Sequence, residues 1–322
     1  MSDFTAIPLI DISPLRSPEL AAREQVGRQI REACTRVGFF YITGHGVPEP
    51  VIDAAMDAAM TFFRLPPEEK MKAKVNKNHR GFNARGGALM YGAKRPDYKE
   101  FYQVGLELPE DDPDVLAGQA LRGPNLWPEQ PAAFRPAMEA YYEAVAGCGA
   151  QLLRGVALSL GVAEDFFESR YRKRLQRTQA VYYPPHPADA DADTFGVAPH
   201  TDFGCITLLY QDDSGGLEVQ NLDGAWVEAT PMPGTFVINV GDLLERWSNK
   251  RFRSDAHRVV NRSGHERLSI ATFYDPTYDA VVDPRDLLVG DAEPEFPPIA
   301  AGDYILGRIN SSFGYRSKAA VA

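Results

Sequence analysis

Apolar residues are spaced in two ways along the chain, and the change falls near residue 176. Upstream they recur every three or four residues, the helical period. After a short extended run at 7–12, Ser17-Pro18-Glu19 predicts a helix start: Ser as N-cap, Pro at the first helical position, an acid in the first turn. Leu20, Val26, Ile30, Ala33 and Val37 give that helix one buried face, and Gly38 stops it. A strand is expected at 39–43 and a turn at Gly44-His45-Gly46, so His45 reads as a turn residue and not a ligand. A second helix is predicted over 51–65, stopped by Pro66-Pro67 and followed by a solvated helical face at 68–74. The longest helical pattern covers 131–160 and closes at Gly161, with Tyr141, Val145, Cys148, Leu152 and Val156 as core positions. Residues 76–103 carry neither period, and 107–119 are acidic and loop-like. A long irregular stretch inside a folded unit is often functional.

Beyond residue 176 the pattern shortens to β segments at 177–183, 205–211, 217–220, 225–229, 235–240, 257–261, 267–274 and 280–283. Ser214-Gly215-Gly216, Asp223-Gly224 and Pro233-Gly234 separate them. Many short strands with such breaks indicate a sandwich or jelly roll. The predicted fold class is therefore mainly β with flanking helices. We expect a single domain, 1–322, made of an N-terminal α/β portion (1–120), a helical support (121–175), a jelly-roll catalytic core (176–283) and C-terminal loops with a helix (284–322). That helix, over 304–317, is a candidate lid. The Asp-rich loop 184–193 lacks the Gly and distal Glu of a calcium loop and reads as surface.

Composition narrows the classes. With 322 residues, 44% of them hydrophobic, the chain can bury a large core. A net charge of −10, a pI near 5.2 and no basic block argue against nucleic acid or acidic membranes as partners. Three cysteines, Cys34, Cys148 and Cys205, have no paired spacing, so no disulfide framework or zinc ribbon is expected, and each reads as a small buried hydrophobe. With neither a leader pattern nor a membrane-length apolar run, the expectation is a soluble, cytoplasmic protein; the sequence does not fix its oligomeric state, and a monomer is the default.

The candidate chemistry starts at His200-Thr201-Asp202. Positions i and i+2 of an extended segment share a face, so an imidazole and a carboxylate project together. His257 supplies a third donor. Two histidines and one carboxylate on one face of an ion are the ligand set of mononuclear non-haem Fe(II) oxygenases. Asp255, two before His257, is a rival carboxylate, ranked below Asp202 because Asp202 has its histidine partner, His200, at strand spacing. His79, His186 and His265 are expected to be exposed. Arg267-Leu268-Ser269 adds a fork-shaped donor and a hydroxyl on one strand face, suited to the far carboxylate of an iron-chelating 2-oxo acid.

These pieces resemble the isopenicillin N synthase-like branch of the 2-oxoglutarate/Fe(II)-dependent dioxygenases. The resemblance rests on His200-Thr-Asp202, Ser254-x-x-His257-Arg-Val, Arg267-Leu-Ser269, Tyr182-Tyr183-Pro-Pro, Asn239-Val-Gly-Asp242 and the segment from Gly38 to Val47, in the family's order. It implies a double-stranded β-helix (jelly roll, cupin-like) with the metal at its open end. It implies Fe(II) on His200, Asp202 and His257, and 2-oxoglutarate on Arg267, Ser269 and Tyr183, although Val181 stands where relatives carry Asn. O2 is the oxidant, and a small organic molecule is oxidised, most simply hydroxylated, with release of succinate and CO2. In that family the irregular segment lines the substrate mouth, which makes Arg80, Phe82, Tyr91 and Tyr102 substrate candidates. Phe203, Phe273, Phe313 and Arg316 are further candidates, each with ordinary packing as the alternative. Some members keep the Arg-x-Ser pair without using a 2-oxo acid, so an oxidase of that kind is a second reading. A metal-dependent hydrolase and a non-catalytic cupin-like binding protein are alternatives of other classes.

Overall fold

The computed structural model describes residues 4–87, 95–186 and 194–312. Strand β1 (Leu9–Asp11), helix α1 (Leu20–Arg36), strand β2 (Phe39–Thr43) and helices α2 (Glu49–Phe63) and α3 (Pro67–Met71) come first. Strands β3 (Gly81–Asn83) and β4 (Glu100–Gly105) follow, then α4 (Pro113–Leu116) and α5 (Phe134–Leu160). The second half holds β5 (Arg177–Tyr183), β6 (Val197–His200), β7 (Ile206–Gln211), β8 (Leu217–Gln220), β9 (Trp226–Glu228) and β10 (Phe236–Val240). Helix α6 (Asp242–Trp247), strands β11 (His257–Val259), β12 (Arg267–Tyr274), β13 (Val281–Val282) and β14 (Ile299–Ala300), and helix α7 (Ala301–Ser312) complete it.

The larger sheet runs β1-β2-β10-β7-β12-β5-β4-β3, and the smaller runs β6-β11-β8-β9. Together they form the predicted jelly roll. Helix α5 packs against α1, α2 and strand β12, and its predicted core residues Tyr141, Val145, Cys148, Leu152 and Val156 are all buried. A Cβ on Gly149 would meet the Tyr274 ring at 2.9 Å, so glycine there lets α5 lie close on β12. Gly38 ends α1 at φ +69 and donates to the Ala33 carbonyl at 3.0 Å, the expected stop. Cys34, Cys148 and Cys205 are free and buried. Among the described residues no helix is long and apolar enough to cross a membrane.

The structure departs from expectation in the N-terminal half. The 76–103 segment is not wholly irregular: it contributes β3 and the start of β4, and β4 is buried along nearly its whole length. Burial on both faces removes the alternation that marks a half-buried strand. Residues 68–74 are not simply a solvated face, because Lys70 is buried, donating to the Phe63 carbonyl at 3.1 Å and pairing with Glu100 at 2.5 Å. That partner is distant in sequence, so no local pattern announces it. Helix α1 starts at Leu20 with Glu19 as N-cap, and Ser17 instead accepts from the Glu19 amide at 3.1 Å. His79, expected on the surface, is fully buried.

Register sets the site. Strands β5 and β12 pair Arg267 with Tyr183, Ser269 with Val181, Ala271 with Gln179 and Phe273 with Arg177. Thr207 lies opposite both Phe273 and Asn239. In the smaller sheet His257 is paired directly with His200.

Candidate metal centre and co-substrate cavity

His200 is the last residue of β6 and His257 the first of β11, so their cross-strand pairing brings the rings to 4.2 Å between centroids. Asp202 lies just past β6, and its Oδ1 is 3.7 Å from His200 Nε2 and 3.8 Å from His257 Nε2. One ligand atom from each of the three lies within 4.8 Å of the others. Bonds of about 2 Å to one ion put neighbouring donors about 3 Å apart, so a small contraction closes the set.

The groups around the triad orient it. Asp202 Oδ2 accepts from Thr207 Oγ1 at 2.5 Å and Asn239 Nδ2 at 2.8 Å, which leaves Oδ1 toward the imidazoles. His200 Nδ1 lies 2.9 Å from the Ala198 carbonyl, a contact that places its proton there and leaves the Nε2 lone pair free. His257 Nδ1 has a longer contact, 3.5 Å, with the Asp255 carbonyl, and Phe39 packs edge-on against its ring at 5.2 Å. Burial, then the neighbouring His257, push His200 below the usual histidine value, so it stays neutral and able to ligate. Burial alone would raise the Asp202 carboxyl. The imidazoles of His257 and His200, with the hydrogen bonds from Thr207 and Asn239, outweigh it and hold the group below its usual value. The donor set therefore fits a divalent cation: two imidazole nitrogens and one carboxylate oxygen. Asp255, the rival carboxylate, is engaged by Arg253 at 2.7 Å.

A cavity with about 940 Å³ of empty space, mouth included, opens from the triad between the two sheets. Arg267 and Ser269 line it, with Tyr183 beside them. Arg267 is fully buried. It donates to the Gly215 carbonyl at 2.7 Å, Gln211 Oε1 at 3.0 Å and Ser269 Oγ at 3.3 Å, and stacks over the Tyr183 ring at 4.6 Å. Among the described residues no carboxylate pairs with it. A buried cation without an anion is costly, and a carboxylate entering the cavity removes that cost.

Phe203 and Phe273, two of the substrate candidates, also line the cavity. Arg80, Phe82 and Tyr102 do not. On β4, Phe101 faces the cavity, so Tyr102 faces the other way. It packs on Phe62 and Phe134 and donates its hydroxyl to the Leu126 carbonyl. Phe82 lies opposite Tyr102 on β3 and joins the same aromatic cluster. Arg80 is buried against the Leu121 carbonyl at 3.0 Å. Tyr91, Phe313 and Arg316 lie outside the described residues. Lys99, Arg177 and Gln179 line the cavity and were missed in the sequence. Strand alternation from Tyr183 back along β5 would have found two of them, since 177, 179, 181 and 183 share a face.

Known proteins resemble this chain in sequence and fold. Residues 174–276 match the model of the 2OG-Fe(II) oxygenase superfamily, and residues 7–130 that of the non-haem dioxygenase in morphine synthesis N-terminal region. A 2-oxoglutarate-Fe(II) type oxidoreductase of Emericella nidulans is 38% identical over 319 residues, 96% of this chain and 91% of its own length. The chain belongs to the 2OG-Fe(II) oxygenase superfamily. It is thus an Fe(II)- and 2-oxoglutarate-dependent dioxygenase that oxidises a small organic molecule. A homoarginine-6-hydroxylase of Glycine max is 35% identical, covering 97% of this chain and 98% of that one. The crystal structure of a full-length Neurospora crassa protein in complex with alpha-KG and thymine superposes with a TM-score of 0.84 at 26% identity, covering 97% of this oxygenase and 98% of that chain. The hydrolase and binding-protein alternatives do not fit this membership.

Proposed function

We propose that His200, Asp202 and His257 hold the ferrous ion and that Arg267, Ser269 and Tyr183 receive the far carboxylate of 2-oxoglutarate, so that the enzyme hydroxylates a small organic molecule within this cavity. The observation that carries the assignment is Arg267: a fully buried guanidinium with no carboxylate partner among the described residues, on the wall of the cavity that also holds the triad. When bound, Fe(II) with 2-oxoglutarate and O2 supplies the oxidising chemistry, and succinate and CO2 leave.

The chain's own work is positioning. Thr207 and Asn239 hold Asp202 with one oxygen free. The Ala198 carbonyl holds the His200 ring. Arg267 fixes one end of the co-substrate through two parallel donors, a role a lysine cannot fill. Val197, Leu209, Leu217 and Val259 make an apolar wall that keeps water from the reacting centre. Related proteins are named for homoarginine hydroxylation or crystallised with thymine, two unlike molecules. The substrate is therefore argued from this chain's own wall, below.

The test is anaerobic absorption spectroscopy. Fe(II) plus 2-oxoglutarate should give a weak visible charge-transfer band, and Arg267→Ala should abolish it at the same co-substrate concentration. An undiminished band in that variant removes Arg267 from the role.

A further inference from the structure

Arg177 and Gln179 stand two residues apart on β5, on the cavity face, roughly 7 Å from each other. They lie toward the opposite end of the paired strands from Arg267 and Tyr183, at the level of Phe273 and Ala271. A relay sets the direction of the Gln179 amide. The His79 carbonyl can only accept, and it takes the Gln103 Nε2 donor at 2.5 Å. Gln103 Oε1 is then the acceptor for Gln179 Nε2, also at 2.5 Å. Gln179 Oε1 is left on the cavity side without a partner among the described residues.

Arg177 offers the complementary group. Its Nη2 donates to Asp275 Oδ2 at 3.0 Å, inside the protein, so its charge is already balanced. Its Nε is enclosed without a partner, and its Nη1 makes no hydrogen bond to the described residues. The guanidinium lies over the Phe273 ring at 4.8 Å, and Phe101 and Phe203 add flat apolar surface to the same cavity. The wall thus presents a spare donor and a spare acceptor side by side between aromatic faces, at a place where the charge is closed.

We propose that this edge selects a small planar substrate bearing an amide-type group, a carboxamide, lactam or imide, whose carbonyl accepts from Arg177 and whose N–H donates to Gln179 Oε1. A carboxylate would satisfy Arg177 but set an anion against the Gln179 oxygen and close to Asp275. A neutral hydrocarbon would leave both groups unpaired, at a cost of about tenfold or more in affinity for each. The inference rests on the oxygenase site proposed above, because that site gives the cavity its oxidant.

The test is calorimetry on the full chain, anaerobic and loaded with Fe(II). 2-Oxoglutarate is titrated first, then benzamide, 2-pyridone and benzoate in turn. The expected result is saturable binding of an amide probe, with benzamide about tenfold or more tighter than the matched benzoate. Gln179→Leu should reduce that preference to within about twofold, with 2-oxoglutarate affinity unchanged. Gln103→Met, which breaks the relay without touching the ligand, should weaken the preference in the same direction. 2-Oxoglutarate binding reports folding in each variant. Preference for benzoate, no saturable binding of either amide probe, or a preference that survives Gln179→Leu overturns this proposal and leaves the co-substrate site standing. Failure of the wild-type chain to bind 2-oxoglutarate overturns both.

Discussion

Thr207 donates its hydroxyl to one oxygen of Asp202 at 2.5 Å, and the other oxygen faces both imidazoles of the triad. The hydroxyl therefore decides which carboxylate oxygen a metal meets. Thr207→Val keeps the shape and removes the donor. Fe(II) affinity, measured by anaerobic titration, should fall roughly 10–100-fold and be restored by Thr207→Ser. Equal affinity in the valine variant would show that the bond does not orient the ligand.

Arg267 gives a stability readout that is independent of turnover. Ligand binding to the folded state alone raises stability by about 2.7 kcal/mol at a hundred times Kd. Wild-type protein with Fe(II) should show a raised Tm on adding 2-oxoglutarate. Arg267→Met should show no such shift at the same concentration, and Arg267→Lys at most a small one, since the ammonium lacks the fork. A full shift in the methionine variant would place the co-substrate elsewhere.

Tyr102 belongs to the core and not to the cavity. Tyr102→Ala should destabilise the fold by about 3–5 kcal/mol, as large-to-small changes at buried aromatics do. In denaturant titrations it should show this loss, while 2-oxoglutarate affinity of the folded fraction stays unchanged. The opposite pattern, intact stability with altered ligand affinity, would return it to the substrate wall.

Glu218 sets a pH dependence of stability. Burial would raise its carboxyl, but hydrogen bonds from Arg262 at 2.6 Å and Arg258 at 2.5 Å outweigh that and hold it below the usual value. A carboxyl lowered on folding contributes stability that is complete above its unfolded pKa of about 4.3 and is lost as the pH falls through the folded value. Glu218→Gln should therefore destabilise the protein at neutral pH, and the difference from wild type should shrink in acid below that range. A difference that is constant with pH would remove the charge from the explanation.

Most jelly-roll strands were legible because they are short, alternate or run apolar, and are set off by Gly or Pro; 217–220 and 267–274 match β8 and β12 residue for residue, whereas the four-residue edge strand β6, Val197–His200, was not among the predicted segments. The triad was legible because two of its members stand two residues apart, and the third precedes a strand whose Arg-x-Ser pair has a chemical meaning. In the N-terminal half β2 and helices α1, α2 and α5 were legible, but β3, β4 and the partner of Lys70 were not. Strand β4 is buried on both sides, so it shows no period. Lys70 depends on Glu100, and the Gln179 amide on Gln103 and His79, partners that only the folded sheet brings together. Strand parity also separates Phe101 from Tyr102, and without the register of β4 against β5 the sequence cannot say which one faces the cavity.

The most direct measurement is the stoichiometry of Fe(II) bound by the chain under anaerobic conditions, with and without the imidazole of His257. The expected result is one Fe(II) per wild-type chain and none in His257→Ala at the same metal concentration, with the far-UV spectrum unchanged. A His257→Ala protein that still binds one equivalent as tightly would contradict a ferrous centre built on this triad.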